Sequence, residues 1–197
     1  MTKSRSSPEK IDGRRLRSGR SRQLIIESML QLIKDGNLAP TAKQLANHAK
    51  VGIRSVFRHF EDMEAIFATA DELWRKEFYH GLPAIDPQLP VKQRISLTAE
   101  ELGTHFEDHS YILKSTATRR WRSTFLKHNY AGYQDEIRAY LKICLPELEN
   151  LNASKQEAIV GILSFEYWDR LRDHQYQTPT ACIDAIVDLL NSLISPT

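Results

Sequence analysis

The chain has 197 residues, 41% of them hydrophobic, which suffices for one large domain or for a small one joined to a larger one. No apolar run approaches the ~20 residues that a membrane span requires, and charges stand at the N-terminus where a secretory signal would be apolar, which points to the cytoplasm. The net charge of +2 conceals an asymmetry. Residues 1–60 hold 13 basic and 4 acidic side chains, and the remainder 14 and 21, so a head of +9 precedes a body of −7. Cys144 and Cys182 are the only cysteines and lack CxxC spacing, which argues against a disulfide scaffold and against a zinc site.

Residues 1–19 lack apolar periodicity and are rich in Ser, Arg and Lys, which predicts a disordered basic arm. From Ser21 the pattern turns helical, with Ile25, Met29, Leu32 and Ile33 on one face and Gly36 as the stop. Thr41 and Gln44 have the spacing of a capping box, and Pro40 before them marks a boundary. Leu45, Ala46 and Ala49 supply a small apolar face, and residues 50–52 form a short break. A second short helix follows from Ile53 to about Phe60. With Gly52 as its N-cap, Val51 and Val56 take the spacing of a hydrophobic staple. Asp62 is the expected N-cap of a longer helix with Ile66, Ala70, Leu73 and Trp74 on one face.

Pro83, Pro87 and Pro90 punctuate a linker, after which the pattern is helical to the end. Ile95 to Phe106 predicts one helix, Tyr111 to about Lys127 another, and Tyr133 to Cys144 a third. Ser154 is the expected cap of a long helix from Lys155 to about His174. Thr178, followed by Pro179, opens a last helix carrying Ile183, Ile186, Val187, Leu190, Leu193 and Ile194. No segment alternates strictly, so the expectation is an all-α fold of about nine helices. The expected domains are the arm at 1–19, a three-helix unit at 20–66 and a larger helical domain at 67–197.

A helix, a capped helix, a tight turn and a short helix form the order of a helix-turn-helix, whose second motif helix enters the DNA major groove. Arg54 and Ser55 stand in the first turn of the short helix, where side chains reach base edges. Arg pairs with guanine in a bidentate manner, and Ser serves several bases. Arg58 and His59, one turn on, are candidates for phosphate, as are Thr41 and Lys43 at the start of the preceding helix. A basic arm can also enter a minor groove or merely raise non-specific affinity, and both options stay open for residues 1–19.

The stretch PTAKQLANHAKVGIRSVFRHFEDMEAIF resembles the signature of the TetR family of bacterial transcriptional regulators, with Leu45-Ala46, Ala49, Val51, Phe57, His59-Phe60 and Glu64 in register. It departs at Lys50, where the family usually has Gly, at Gly52, where Ser or Thr is usual, at Met63, where many members carry a phosphate-binding Lys, and at Phe57, commonly Tyr. The resemblance implies a dimeric regulator, without catalytic residues or cofactor, that binds palindromic double-stranded operator DNA and is released by a small-molecule effector. It implies DNA contacts at Arg54, Ser55, Phe57 and His59, with Thr41 and Lys43 as anchors. An all-helical binding or adaptor protein without DNA affinity is the rival reading.

By the same resemblance the acidic body binds the effector and dimerises through its last two helices. Ile159, Ile162, Leu163, Phe165, Tyr167, Trp168 and Leu171 cover so wide an arc that one straight helix would need burial on two sides. Ile159, Leu163, Tyr167, Ile183, Ile186, Val187 and Leu190 are therefore the candidate dimer face, a monomeric core being the alternative. Phe106, Tyr111, Trp121, Phe125, Tyr133 and Trp168 are candidate pocket lining, although aromatics at helical spacing are more often core. His105 and His109, one turn apart after Glu101, do not form HExxH and lack further ligands, so no metal is expected.

Overall fold

A computed structural model describes residues 13–194, which form two compact units, the first ending at Asp71 and the second beginning at Glu72. Among the described residues there are nine α-helices and no strand. In the first unit, α1 (Gly13–Lys34), α2 (Ala42–His48) and α3 (Ile53–His59) pack together, and α4 (Met63–His80) begins. The boundary expected after residue 66 and the division after Asp71 both fall inside α4. Residues 13–19, expected to be irregular, are helical; residues 1–12 lie outside the described range.

Local hydrogen bonding explains where these short helices start and stop. Gly36 (φ 93°) ends α1, with the Gly36 amide donating to the Ile33 carbonyl and Asn37 to Leu32. The Thr41–Gln44 capping box opens α2: the Gln44 amide donates to Thr41 Oγ1 at 3.3 Å and the Thr41 amide to Gln44 Oε1 at 2.9 Å. At its end the Lys50 amide donates to Asn47 and the Val51 amide to Ala46, which forces Lys50 into the left-handed region at φ 53°. Gly52 caps α3 without a side-chain bond, and Asp62 caps α4 through the Ala65 amide at 2.8 Å. Ile25, Ile26, Met29, Ile33, Leu45, Ala46, Val56 and Phe60 are buried, as burial of apolar area requires for so small a unit.

The second unit contains α5 (Val91–Arg120), α6 (Thr124–Cys144), α7 (Ala153–Ile162), α8 (Phe165–Asp169) and α9 (Pro179–Ile194), with a 3₁₀ turn at Pro146–Asn150 and a π turn at Arg170–His174. Its helices divide differently from the sequence expectation. The two helices predicted over 95–106 and 111–127 are one 30-residue helix, α5, which stops at Trp121. The buried stripe Ile95, Ala99, Leu102, Phe106 continues through the half-buried His109 to Leu113, so a polar residue in the apolar register gave the false break. The real break is at Ser123, whose buried hydroxyl accepts from the Leu126 amide at 3.1 Å and starts α6.

The helix predicted from Lys155 to His174 is also corrected. Asn152, not Ser154, caps α7, accepting from the Lys155 amide at 2.9 Å. The run then breaks at Leu163, and Ser164 caps α8 through the Tyr167 amide at 3.2 Å. That break turns both apolar sets inward, so Ile159, Val160, Leu163, Phe165, Trp168 and Leu171 are all buried within one chain. Ile162 and Tyr167 of the same arc stay half-buried. Thr178 caps α9 as expected, by way of the Ala181 amide. The α5–α8 crossing is close: a Cβ on Gly103 would lie 2.6 Å from Trp168 Cη2. The indole N–H of Trp168 donates to Glu107 at 2.8 Å, and Arg172 binds the same carboxylate.

Candidate nucleic-acid interface

The seven residues of α3 divide cleanly by exposure. Val56 is fully buried and anchors the helix, while Ile53, Arg54, Phe57 and Arg58 are exposed and Ser55 and His59 are half-buried. Because 3.6 residues make a turn, burying Val56 turns Arg54 and Phe57–Arg58 outward. Gly52 leaves the entrance of α3 without a capping side chain, so the approach to Arg54 is sterically open. Ile53 and Phe57 are each 46% exposed, so two apolar side chains stand on the open side of α3. Ile53 was not among the sequence candidates, because an apolar residue opening a helix reads as core.

On α2, Lys43 is exposed, while the Thr41 hydroxyl is engaged with Gln44 Oε1 at 2.8 Å in the capping box. Thr41 therefore positions α2 first of all. At the far end of α3, the Arg22 guanidinium of α1 stands 4.8 Å from the centre of the Phe60 ring, a cation–π contact. His59 beside it is pushed below the usual histidine range, chiefly by burial, then by the positive charges of Arg58 and Arg22. In the sequence Arg22 entered only the basic total of residues 1–60. No periodicity links it to α3; only the packing of α1 on α3 brings it there.

In the second unit, Phe106 and Trp168 are core, with ring centres 6.3 Å apart, and Tyr133 packs 5.6 Å from Phe78. Tyr111 and Phe125 are half-buried, and Trp121 is 63% exposed beneath the Arg122 guanidinium. Of the six aromatic candidates three are thus core, two half-buried and one exposed. A cleft of about 660 Å³ lies elsewhere, between Arg75 and Lys76 of α4, Leu82 after it, and Glu136, Tyr140 and Ile143 of α6. Of the candidate dimer face, Ile159, Leu163, Ile186 and Leu190 are buried within the chain itself and offer no surface to a second copy. Tyr167, Ile183 and Val187 are half-buried, and Leu189, across the buried stripe of α9 from Ile183 and Val187, is 38% exposed.

His105 and His109 of α5 are half-buried and bond to residues of α4. His105 Nε2 bonds the Phe78 carbonyl at 2.7 Å, and the Trp74 indole donates to His109 Nδ1 at 3.1 Å. Burial lowers the pKa of both rings. Among the described residues no group of three His, Cys, Asp or Glu stands together as a metal site, and no helix is long and apolar enough to cross a membrane.

No family model matches the chain, and no curated protein matches it in sequence. Its fold is similar to that of a transcriptional regulator from a Rhodococcus species, with a TM-score of 0.65 at 13% identity over 89% of this chain and 95% of that one. It is similar as well to the multidrug binding protein EbrR, solved in complex with imidazole, with a TM-score of 0.66 at 16% identity over 89% of this chain and 96% of that one. At such identities the likeness is one of fold.

Proposed function

We propose that this chain is a transcriptional regulator of the TetR type, in which residues 20–66 bind operator DNA and residues 67–197 bind a small-molecule effector and dimerise. The observation that carries it is α3, where a buried Val56 holds Arg54, Ser55 and Phe57 on the open side of a basic three-helix unit. That arrangement suits a helix lying in the major groove with its leading polar side chains on base edges. Phe57 and Ile53 offer apolar contacts to thymine methyls, and Lys43, Arg58 and His59 face the backbone phosphates. The two solved structures of like fold support the reading, since one is a transcriptional regulator and the other a multidrug binding protein.

The effector reading rests on the cleft bounded by Lys76, Glu136 and Tyr140, whose volume falls within the ~300–1,000 Å³ range of small-molecule sites. The second copy is expected to cover Tyr167, Ile183 and Val187, which the protomer leaves half-buried. Sedimentation at micromolar concentration tests this, and a clean monomer refutes it. For DNA, the test is a gel shift with the sequence upstream of the protein's own gene. Arg54→Ala is expected to cost about 1–3 kcal/mol and to relax preference at one base position. If Arg54→Ala joined with Ser55→Ala leaves full sequence preference, α3 does not read the groove.

A further inference from the structure

Three positive or titratable groups from two helices meet at the end of α3. Arg22 of α1 stacks on Phe60, Arg58 is exposed on α3, and the half-buried His59 stands between Arg58 and Phe60 in the chain. His59 Nε2 is shut off from solvent and finds no hydrogen-bond partner among the described residues. The charges acting on the ring are those of Arg58 and Arg22, and both repel a proton. The other helix packed on α3 is α2, whose charged side chains Lys43 and His48, and Lys50 just beyond, are all basic or titratable to cations. The nearest acids along the chain are Glu61, Asp62 and Glu64, and the Asp62 carboxylate is held by the Ala65 amide.

We infer that Arg22, Arg58 and His59 form one seat for a DNA backbone phosphate, and that filling it loads a proton onto His59, so that DNA affinity depends on pH. The inference rests on the DNA-binding reading and adds a ligand group and a proton to it. A phosphate between the guanidiniums offsets their repulsion of a proton on the ring, the part of the depression that adds to burial, whether or not the imidazole itself touches the anion. The sign follows. The histidine pKa is higher in the complex than in the free protein, so binding takes up a proton. Affinity is greatest below the free-protein pKa, falls as pH rises through the bound-state pKa, and is flat above it.

Phosphate contacts are independent of sequence, so a short duplex of arbitrary sequence at low salt serves as the probe. Affinity is expected to fall about three- to tenfold per protomer between about pH 5.5 and about pH 8, one unit of pKa change corresponding to a factor of ten. His59→Gln removes that dependence, and His48→Gln, on the exposed face of α2, keeps it. Arg22→Gln reduces both the pH dependence and, by about 0.9, the slope of log K against log salt. NMR titration of the His59 ring in the unmodified protein, with and without duplex, reads the pKa rise directly. Binding that is flat with pH, or pH dependence surviving in a folded His59→Gln variant, overturns the inference and leaves the DNA-binding reading in place. Failure to bind duplex at any pH overturns both.

Discussion

Lys50 sits at φ 53°, where its Cβ crowds the following carbonyl, because the end of α2 requires the left-handed turn that lets the Val51 amide reach the Ala46 carbonyl. A non-glycine residue there costs roughly 1–2 kcal/mol. Replacing it with glycine removes that cost but returns roughly 0.5–1 kcal/mol to the unfolded chain as backbone freedom. Lys50 is exposed, so no packing is lost. The net expectation for Lys50→Gly is a gain of about 0.5–1 kcal/mol. For a chain of this length unfolding as one, that is a rise in Tm of roughly 1–4 °C. Thermal melting and urea midpoints at unchanged m value measure it. Lys50→Ala is the control: it removes the same charge and keeps the Cβ, so no gain is expected. Equal gains from Gly and Ala would assign the effect to charge, and a loss with Gly would refute the argument from backbone strain.

Gly103→Ala is expected to destabilise by about 1–3 kcal/mol, because its methyl meets the Trp168 ring at 2.6 Å inside a packed helix crossing. Urea unfolding checks it, and pairing it with Trp168→Leu is expected to cost less than the sum of the single changes. Ser123→Ala removes the buried cap of α6 and is expected to lose about 1 kcal/mol by the same assay. Stability is expected to fall on acidification. His105 and His109 have folded pKa values below the unfolded ~6.5, so the unfolded chain takes up protons first, the loss starts near that pH, and it levels off below the folded values. Urea midpoints against pH measure this; if His109→Gln leaves the acid limb as steep, the buried ring is not its source.

Much of the first unit was legible because its decisive signals are local. The capping box, the Asp62 cap and the stop at Gly36 each join groups two to five residues apart. Spacing in the chain therefore stands for distance in space. The same holds for α3, where one buried residue in a seven-residue helix settles which side chains face out. The second unit was less legible. His109 occupies an apolar register position, and only the Trp74 indole, 35 residues away, explains how it is accommodated. A polar residue without its partner in view reads as a helix end.

Sequence alone determined that the chain is helical, where the short basic helices begin, and which residues of α3 stand in its leading turn, since backbone capping and helical period act over a few residues. Tertiary structure alone decided that Ile159, Leu163, Phe165, Trp168 and Leu171 are buried within their own chain, that Phe106, Tyr133 and Trp168 fill core, and that Arg22 stands beside His59. Those outcomes depend on groups far apart in the chain and near in space, and burial or charge repulsion between such groups leaves no mark in the spacing of residues.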